Sequence, residues 1–295
     1  MGLRVIDVRE INDVDQTITV DFALRLRWED QRLAPYAGCR LPVDKIWFPE
    51  LVLINSGRVF NRWPELVSVD EGGAVTYLQR QSGTLSSYHQ LLEFPFDQQF
   101  IDVTLFPLDW SEDKVLLKKD QSFEGIFDTL SISDWKIVNV SSAVETFAPK
   151  SFSTLRSSYR FTIEAERYVS YYFWKIILPV CLIVVMSWSV FWIEAREFGT
   201  QLGLSATSVL TMIAFIFATT NMLPRLGYFT LLDKFIAGAT VMVFLALLQS
   251  LCTGYIATRG NDASAQRIDR SSRVVFPVTF LLFCVWCFSA ALRAN

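Results

Sequence analysis

The residues with the most legible chemistry in this 295-residue chain form one stripe through an uncharged run. Gly203, Thr207, Leu210, Ala214, Phe217 and Asn221 are spaced by four, three, four, three and four residues, which places them on one face of an α-helix. No charge occurs from Leu202 to Leu223, and a helix of that length reaches ~33 Å, enough to cross a hydrocarbon core of ~30 Å. The stripe is small and hydroxyl-bearing at Gly203 and Thr207, bulky at Leu210 and Phe217, and amide-bearing at Asn221. Several copies turned inward would enclose a path for ions. Thr207 would then offer a hydroxyl ring to a partly dehydrated ion, and Leu210 an apolar constriction that closes by shedding water. Small and hydroxyl residues also suit a membrane helix packed among neighbours, so this stretch alone leaves both readings open.

Glu194 and Glu197 lie just ahead of the run. Rings of carboxylates there would attract cations, Arg196 between them would oppose this, and ordinary solvated loop charge is the alternative. Enzyme chemistry is poorly supplied, and no catalytic residue, metal site or cofactor is expected. The single histidine, His89, stands beside no nucleophile motif and reads as a solvated loop residue, or else as a pH sensor with an unperturbed pKa of ~6.5. Of five cysteines only Cys39 precedes residue 168. Cys181, Cys252, Cys284 and Cys287 sit in apolar segments, where packing is the natural role. A net charge of −3 suggests no nucleic-acid partner.

The elements that must position these residues divide the chain near residue 168, with dense charge before it and sparse charge after. Residues 17–28, TITVDFALRLRW, alternate apolar and polar, as a half-buried strand does. The pattern returns at 101–105 and 159–164, with shorter candidates at 75–78 and 135–140. Turn chemistry at Glu71-Gly72-Gly73, Gln81-Ser82-Gly83 and Ala148-Pro149 separates them, and many strands with frequent turns predict a β-sandwich over 1–168. The remainder, 169–295, carries four apolar spans at about 169–193, 200–223, 229–257 and 272–292. Arg259, Arg267, Arg270 and Arg273 lie in the third connection, a loop of about fifteen residues that the positive-inside rule places in the cytoplasm. Both termini and the β half are then outside, in a multi-pass protein of the cell inner or plasma membrane. The N-terminus has no apolar signal core, so export implies a cleaved leader ahead of this numbering.

These residues resemble the pentameric ligand-gated ion channels, the Cys-loop receptor superfamily, in its prokaryotic branch. Phe22 to Leu33, FALRLRWEDQRL, looks like the family's second strand, and Asp44 to Asn55, DKIWFPELVLIN, like its W-x-P-[DE] segment. Phe94-Pro95-Phe96-Asp97-Gln98-Gln99 reproduces the core of the Cys-loop. Arg167 lies twelve residues before Pro179, the family's spacing between the pre-membrane arginine and the first-helix proline. Gly203-Leu204 and Val209 to Met212 look like its pore helix. The chain departs from the pattern at the two loop cysteines, which fall on Ser87 and Ile101. It departs also at the transmitter cage, whose aromatic positions fall on Ile54, Leu108 and Ala23.

The resemblance implies an α+β membrane protein: an extracellular β-sandwich on a four-helix transmembrane domain, assembled from four further identical subunits into a homopentamer in a lipid bilayer. It implies gating by a small-molecule agonist or by protons, and passage of monovalent ions. Pore-lining residues are then Gly203, Thr207, Leu210, Ala214, Phe217 and Asn221; the net negative charge of Glu194 and Glu197 against Arg196, rather than the resemblance, favours cations, whereas Gly203 to Met212 resembles the pores of anion channels. Phe106, Trp110, Phe147 and Phe152 would line an agonist pocket between subunits. Pro95, Phe96, Asp97, Arg167, Pro224 and Arg225 would couple that pocket to the gate, with Asp97 and Arg167 as a partly desolvated pair. An anion-selective channel of the same fold, and a non-conducting membrane sensor, are the alternatives.

Overall fold

The computed structural model describes residues 1–148, 154–220 and 226–294. The chain forms two compact units, Met1–His89 with Gln98–Arg167, and Gln90–Asp97 with Tyr168–Asn295. The first is a β-sandwich. One sheet runs β3 (Arg40–Pro42), β6 (Leu66–Val69), β7 (Ala74–Ser86), β2 (Thr17–Glu29), β1 (Gly2–Asn12), β9 (Gly125–Ile126), with β5 (Ser56–Asn61) also pairing β7. The other runs β10 (Trp135–Phe147), β11 (Arg156–Arg167), β8 (Gln98–Pro107), β4 (Leu51–Leu53).

The alternating pattern of β2 turns Ile18, Val20, Phe22, Leu24 and Leu26 into the space between the sheets, where they join Ile101, Val103, Leu105, Phe161 and Ile163. β1 is not visible as alternation because its ladder slips between Val5 and Asp7 and between Val8 and Glu10. Those bulges reset the period, so the buried row reads Leu3, Val5, Val8, Ile11. Gln81-Ser82-Gly83, expected as a turn, lies inside β7. Gly83 is there for close approach: a Cβ would overlap the Arg58 carbonyl of the neighbouring strand.

The second unit holds four helices long and apolar enough to cross a membrane: Ser170–Trp192, Phe198–Thr219, Leu231–Thr258 and a fourth, Asp262–Ala294. The first widens to π geometry over Phe173–Ile177, the turn that meets the ring and missing N–H of Pro179. The third opens on a capping box in which Thr230 and Asp233 satisfy each other's backbone donors. The loop expected between the third and fourth spans shrinks to Arg259, Gly260 and Asn261. Gly260, at φ 83°, ends the third helix, and Asn261 accepts from the Ser264 N–H at 3.3 Å to start the fourth. Hydropathy marks where a membrane begins; the helix continues past it, carrying Arg267, Arg270 and Arg273 with it.

Candidate functional site

The stripe on the second helix is the face its own unit leaves uncovered. Gln201, Ser205, Ser208, Met212 and Thr219 are buried on the opposite side, with Ser205 Oγ donating to Ser250 Oγ at 3.1 Å. Gly203, Thr207, Leu210, Ala214 and Phe217 are exposed, Leu210 at 67% and Phe217 at 73%. Asn221 lies outside the described residues, as do Pro224 and Arg225. Thr207 Oγ1 donates to the Gly203 carbonyl at 2.8 Å, and Thr211 repeats the bond to Thr207. With its proton committed to the backbone, the Thr207 hydroxyl presents oxygen lone pairs outward.

Before this helix, Glu194 and Glu197 are both exposed, and Glu197 occupies the N-cap position, where a carboxylate is favoured by the helix dipole. Arg196 does not stand alone between them. Its Nε donates to Asp262 Oδ2 at 2.9 Å, and its terminal nitrogen meets the same oxygen. Its charge is thus met by Asp262, in addition to the two exposed glutamates beside it in sequence.

The Phe-Pro-Phe-Asp loop belongs to the helical unit. Leu91 and Phe94 are buried among the apolar residues of the first and third helices. The Leu91 N–H donates to Tyr228 Oη at 3.1 Å, and the carbonyls of Leu92 and Phe94 accept from the N–H groups of Leu231 and Leu232 at 3.0 and 3.1 Å. Those two donors open the third helix and have no partner within it, so the loop satisfies them. The Phe94 ring meets Tyr172 at 4.8 Å, and Phe96 meets Phe288 at 5.7 Å. Pro95 and Asp97 are buried as well.

In the sandwich unit Arg167 closes β11 with its side chain 2% exposed, donating to Asp13 Oδ2 at 2.7 Å and lying 4.0 Å from the Trp135 ring centroid. Asp13 Oδ1 lies 3.0 Å from Nδ1 of His89. His89 is thus not the solvated loop residue expected: it is 1% exposed. The hairpin turn between β1 and β2 does this. Asn12 Oδ1 accepts from the N–H groups of Val14 and Asp15, presenting Asp13, while Gln16 Oε1 accepts from the His89 N–H at 2.7 Å. Burial alone would raise the Asp13 carboxyl; the hydrogen bonds from His89 and Arg167 and the Arg167 charge outweigh it and hold the group below its ordinary value of 3.8.

The aromatic residues divide. Phe106 and Phe147 meet at 5.6 Å, whereas Trp110 packs on Trp47 at 5.9 Å with the Lys114 ammonium 6.0 Å from its ring. Buried Arg156 donates to the carbonyls of Pro107 and Trp110 at 3.0 and 3.1 Å, fixing the segment that carries Trp110. Phe152 lies outside the described residues. Asp13, Trp47 and Tyr228 were missed in the sequence; the Asn-Asp turn before β2 was the available sign of the first, and Trp47 stands in the W-x-P segment itself.

Family models for the neurotransmitter-gated ion-channel ligand binding domain and transmembrane region match residues 1–173 and 176–265. The chain is 28% identical over 290 residues to a proton-gated ion channel of Gloeobacter violaceus, covering 95% of this chain and 79% of that one. It is 26% identical over 272 residues to the gamma-aminobutyric acid receptor subunit rho-1 of Mus musculus, covering 88% of this chain and 56% of the receptor subunit. To the subunit beta-4 of Gallus gallus it is 25% identical over 293 residues, 92% of this chain and 59% of that one. The chain thus spans little more than half the length of these receptor subunits.

Proposed function

Because the chain belongs to the neurotransmitter-gated ion-channel family, we propose that it forms a homopentameric channel, gated by a small ligand or by protons, that passes monovalent cations. The observation that carries the cation preference is the Arg196–Asp262 pair. Glu194 and Glu197 already outweigh Arg196, two carboxylates against one guanidinium, and Asp262 would enlarge that excess by neutralising Arg196, so each subunit would bring a net negative charge to the mouth. A negative ring lowers the energy of a cation and raises that of an anion. The outward lone pairs of Thr207 suit a cation for the same reason.

Five copies of the uncovered stripe would enclose the path, with Leu210 as its apolar gate. The basic residues Arg259, Arg267, Arg270 and Arg273 favour a cytoplasmic third connection, which leaves the sandwich and both termini outside. An agonist would bind between subunits near Phe106, Trp110, Phe147 and Phe152. The stimulus acts through its differential affinity for closed and open states. Its effect would pass through Pro95, Phe96 and Asp97, with Asp97 energetically coupled to Arg167, towards Pro224 and Arg225.

Protons are favoured as stimulus by the buried His89–Asp13–Arg167 chain and by the similarity to a protein named as a proton-gated channel. Anion selectivity is the second reading, because relatives named as gamma-aminobutyric acid receptor subunits match over a similar stretch. Single-channel recording across a pH range on the reconstituted protein tests conduction. A silent bilayer under every stimulus would leave a non-conducting sensor.

A further inference from the structure

We infer that Gln201 governs ion selection at one remove, as a positioning residue that holds Glu194 and Glu197 at the mouth of the path. The inference rests on the cation reading above and names the residue that sets its geometry. Gln201 is 1% exposed, on the side of the second helix away from the stripe. Its Nε2 donates to the Ile193 carbonyl at 2.9 Å. That carbonyl stands at the end of the first helix, where the last acceptors have no partner within the helix. The Gln201 N–H donates to the Glu197 carbonyl at 3.1 Å, and the Glu197 N–H to the Glu194 carbonyl at 2.9 Å. One residue thus clasps Ile193 and Glu197, the two ends of the segment that carries the carboxylates. Within it Ala195 is buried while Glu194, Arg196 and Glu197 are exposed, so the clasped segment turns a methyl inward and its charges outward.

Packing alone does not account for the amide. Gln201 Oε1 is buried and accepts no hydrogen bond among the described residues. A leucine would fill the same space without stranding an oxygen, so the amide's contribution is its donor. The other ties of the link run elsewhere. Phe198 seats on Gly254 of the third helix so closely that a Cβ there would overlap the ring. Arg196 reaches Asp262 at the start of the fourth helix. Gln201 ties the link to the first helix. The field of a charge falls with distance, so carboxylates released from that tie lose their hold on a passing ion.

The test is the reversal potential of the full-length reconstituted protein in a sodium chloride gradient, read together with its unfolding temperature. Gln201→Leu should unfold no earlier than wild type, yet its sodium-to-chloride permeability ratio should fall about tenfold. Gln201→Asn keeps the amide but falls a methylene short of Ile193. It should show the same fall, and it stands in if the leucine variant does not assemble. With Glu194→Gln and Glu197→Gln already in place, Gln201→Leu should change the ratio no further, because the charges it positions are gone. Ser205→Ala breaks the 3.1 Å bond to Ser250 one turn along the same buried side and should leave the ratio at its wild-type value. A wild-type ratio in the Gln201 variants would overturn the inference and leave the cation reading standing. An equal fall in Ser205→Ala, or a further fall without the two glutamates, would overturn it too, since loosened packing or another charge would then be responsible. Reversal of the wild type near the chloride equilibrium potential would remove the cation reading itself, and the inference with it.

Discussion

The carbonyl of Phe94 accepts the Leu232 N–H at 3.1 Å, so the loop that reproduces the Cys-loop core supplies an acceptor that the third helix cannot supply for itself. Leu92 does the same for Leu231, and Tyr228 holds the loop from the other side through Leu91. The loop is built into the helical unit as part of a helix start. Displacing it strips hydrogen bonds from the first turn of that helix.

Tyr228→Phe should therefore weaken this attachment while keeping the ring. It strands the buried Leu91 N–H, at a cost of about 1–3 kcal/mol. Thermal unfolding should fall accordingly, and activation should need a stronger stimulus. Wild-type unfolding and activation together would show that the loop does not depend on this bond.

Leu210→Ser puts a hydroxyl at the proposed apolar constriction. A wetted ring favours conduction, so the variant should open at lower stimulus or leak at rest. A normally expressed variant with an unchanged stimulus–response curve would remove Leu210 from the gate.

Asp13→Ala removes the charged acceptor that Arg167 and His89 meet at 2.7 and 3.0 Å, which costs about 1.5–3 kcal/mol. Chemical denaturation measures this. The pH dependence of the group follows from its depressed carboxyl: its stabilising contribution is present above the ordinary value of 3.8 and is lost as pH falls through the lower folded value. Asp13 itself thus stays ionised at neutral and alkaline pH. Any response there must come from another group, and His89→Gln should abolish it if the imidazole is the sensor. A pH response that survives in His89→Gln moves the sensor elsewhere.

For the transmission route, a double-mutant cycle on Asp97→Ala and Arg167→Ala, read out as activation, should give a coupling energy of about 0.5–3 kcal/mol. Additive effects would mean that the two charges act independently.

Much of this was legible because the sequence carries simple periods. β2 pairs β7 over Thr17–Glu29 without a slip, so its alternation survives intact. β1 was hidden because two bulges break its period. Gly83 misled because a glycine serves a strand crossing as readily as a turn. The start of the fourth helix was missed because residues 262–273 are polar, and hydropathy does not distinguish a polar helix from a loop. His89 sits among polar neighbours, and its burial comes from Asp13, 76 residues away, which no local pattern reports. The stripe from Gly203 to Phe217 was readable because both sides of that helix keep the 3.6-residue period. The pairing of Arg196 with Asp262 was not, since it joins residues 66 apart.

The reversal potential of the reconstituted protein in a sodium chloride gradient tests the central claim most directly. The account predicts reversal towards the sodium equilibrium potential, with cation preference reduced by Glu194→Gln and Glu197→Gln and strengthened by Arg196→Gln at constant Asp262. Reversal near the chloride equilibrium potential would contradict it.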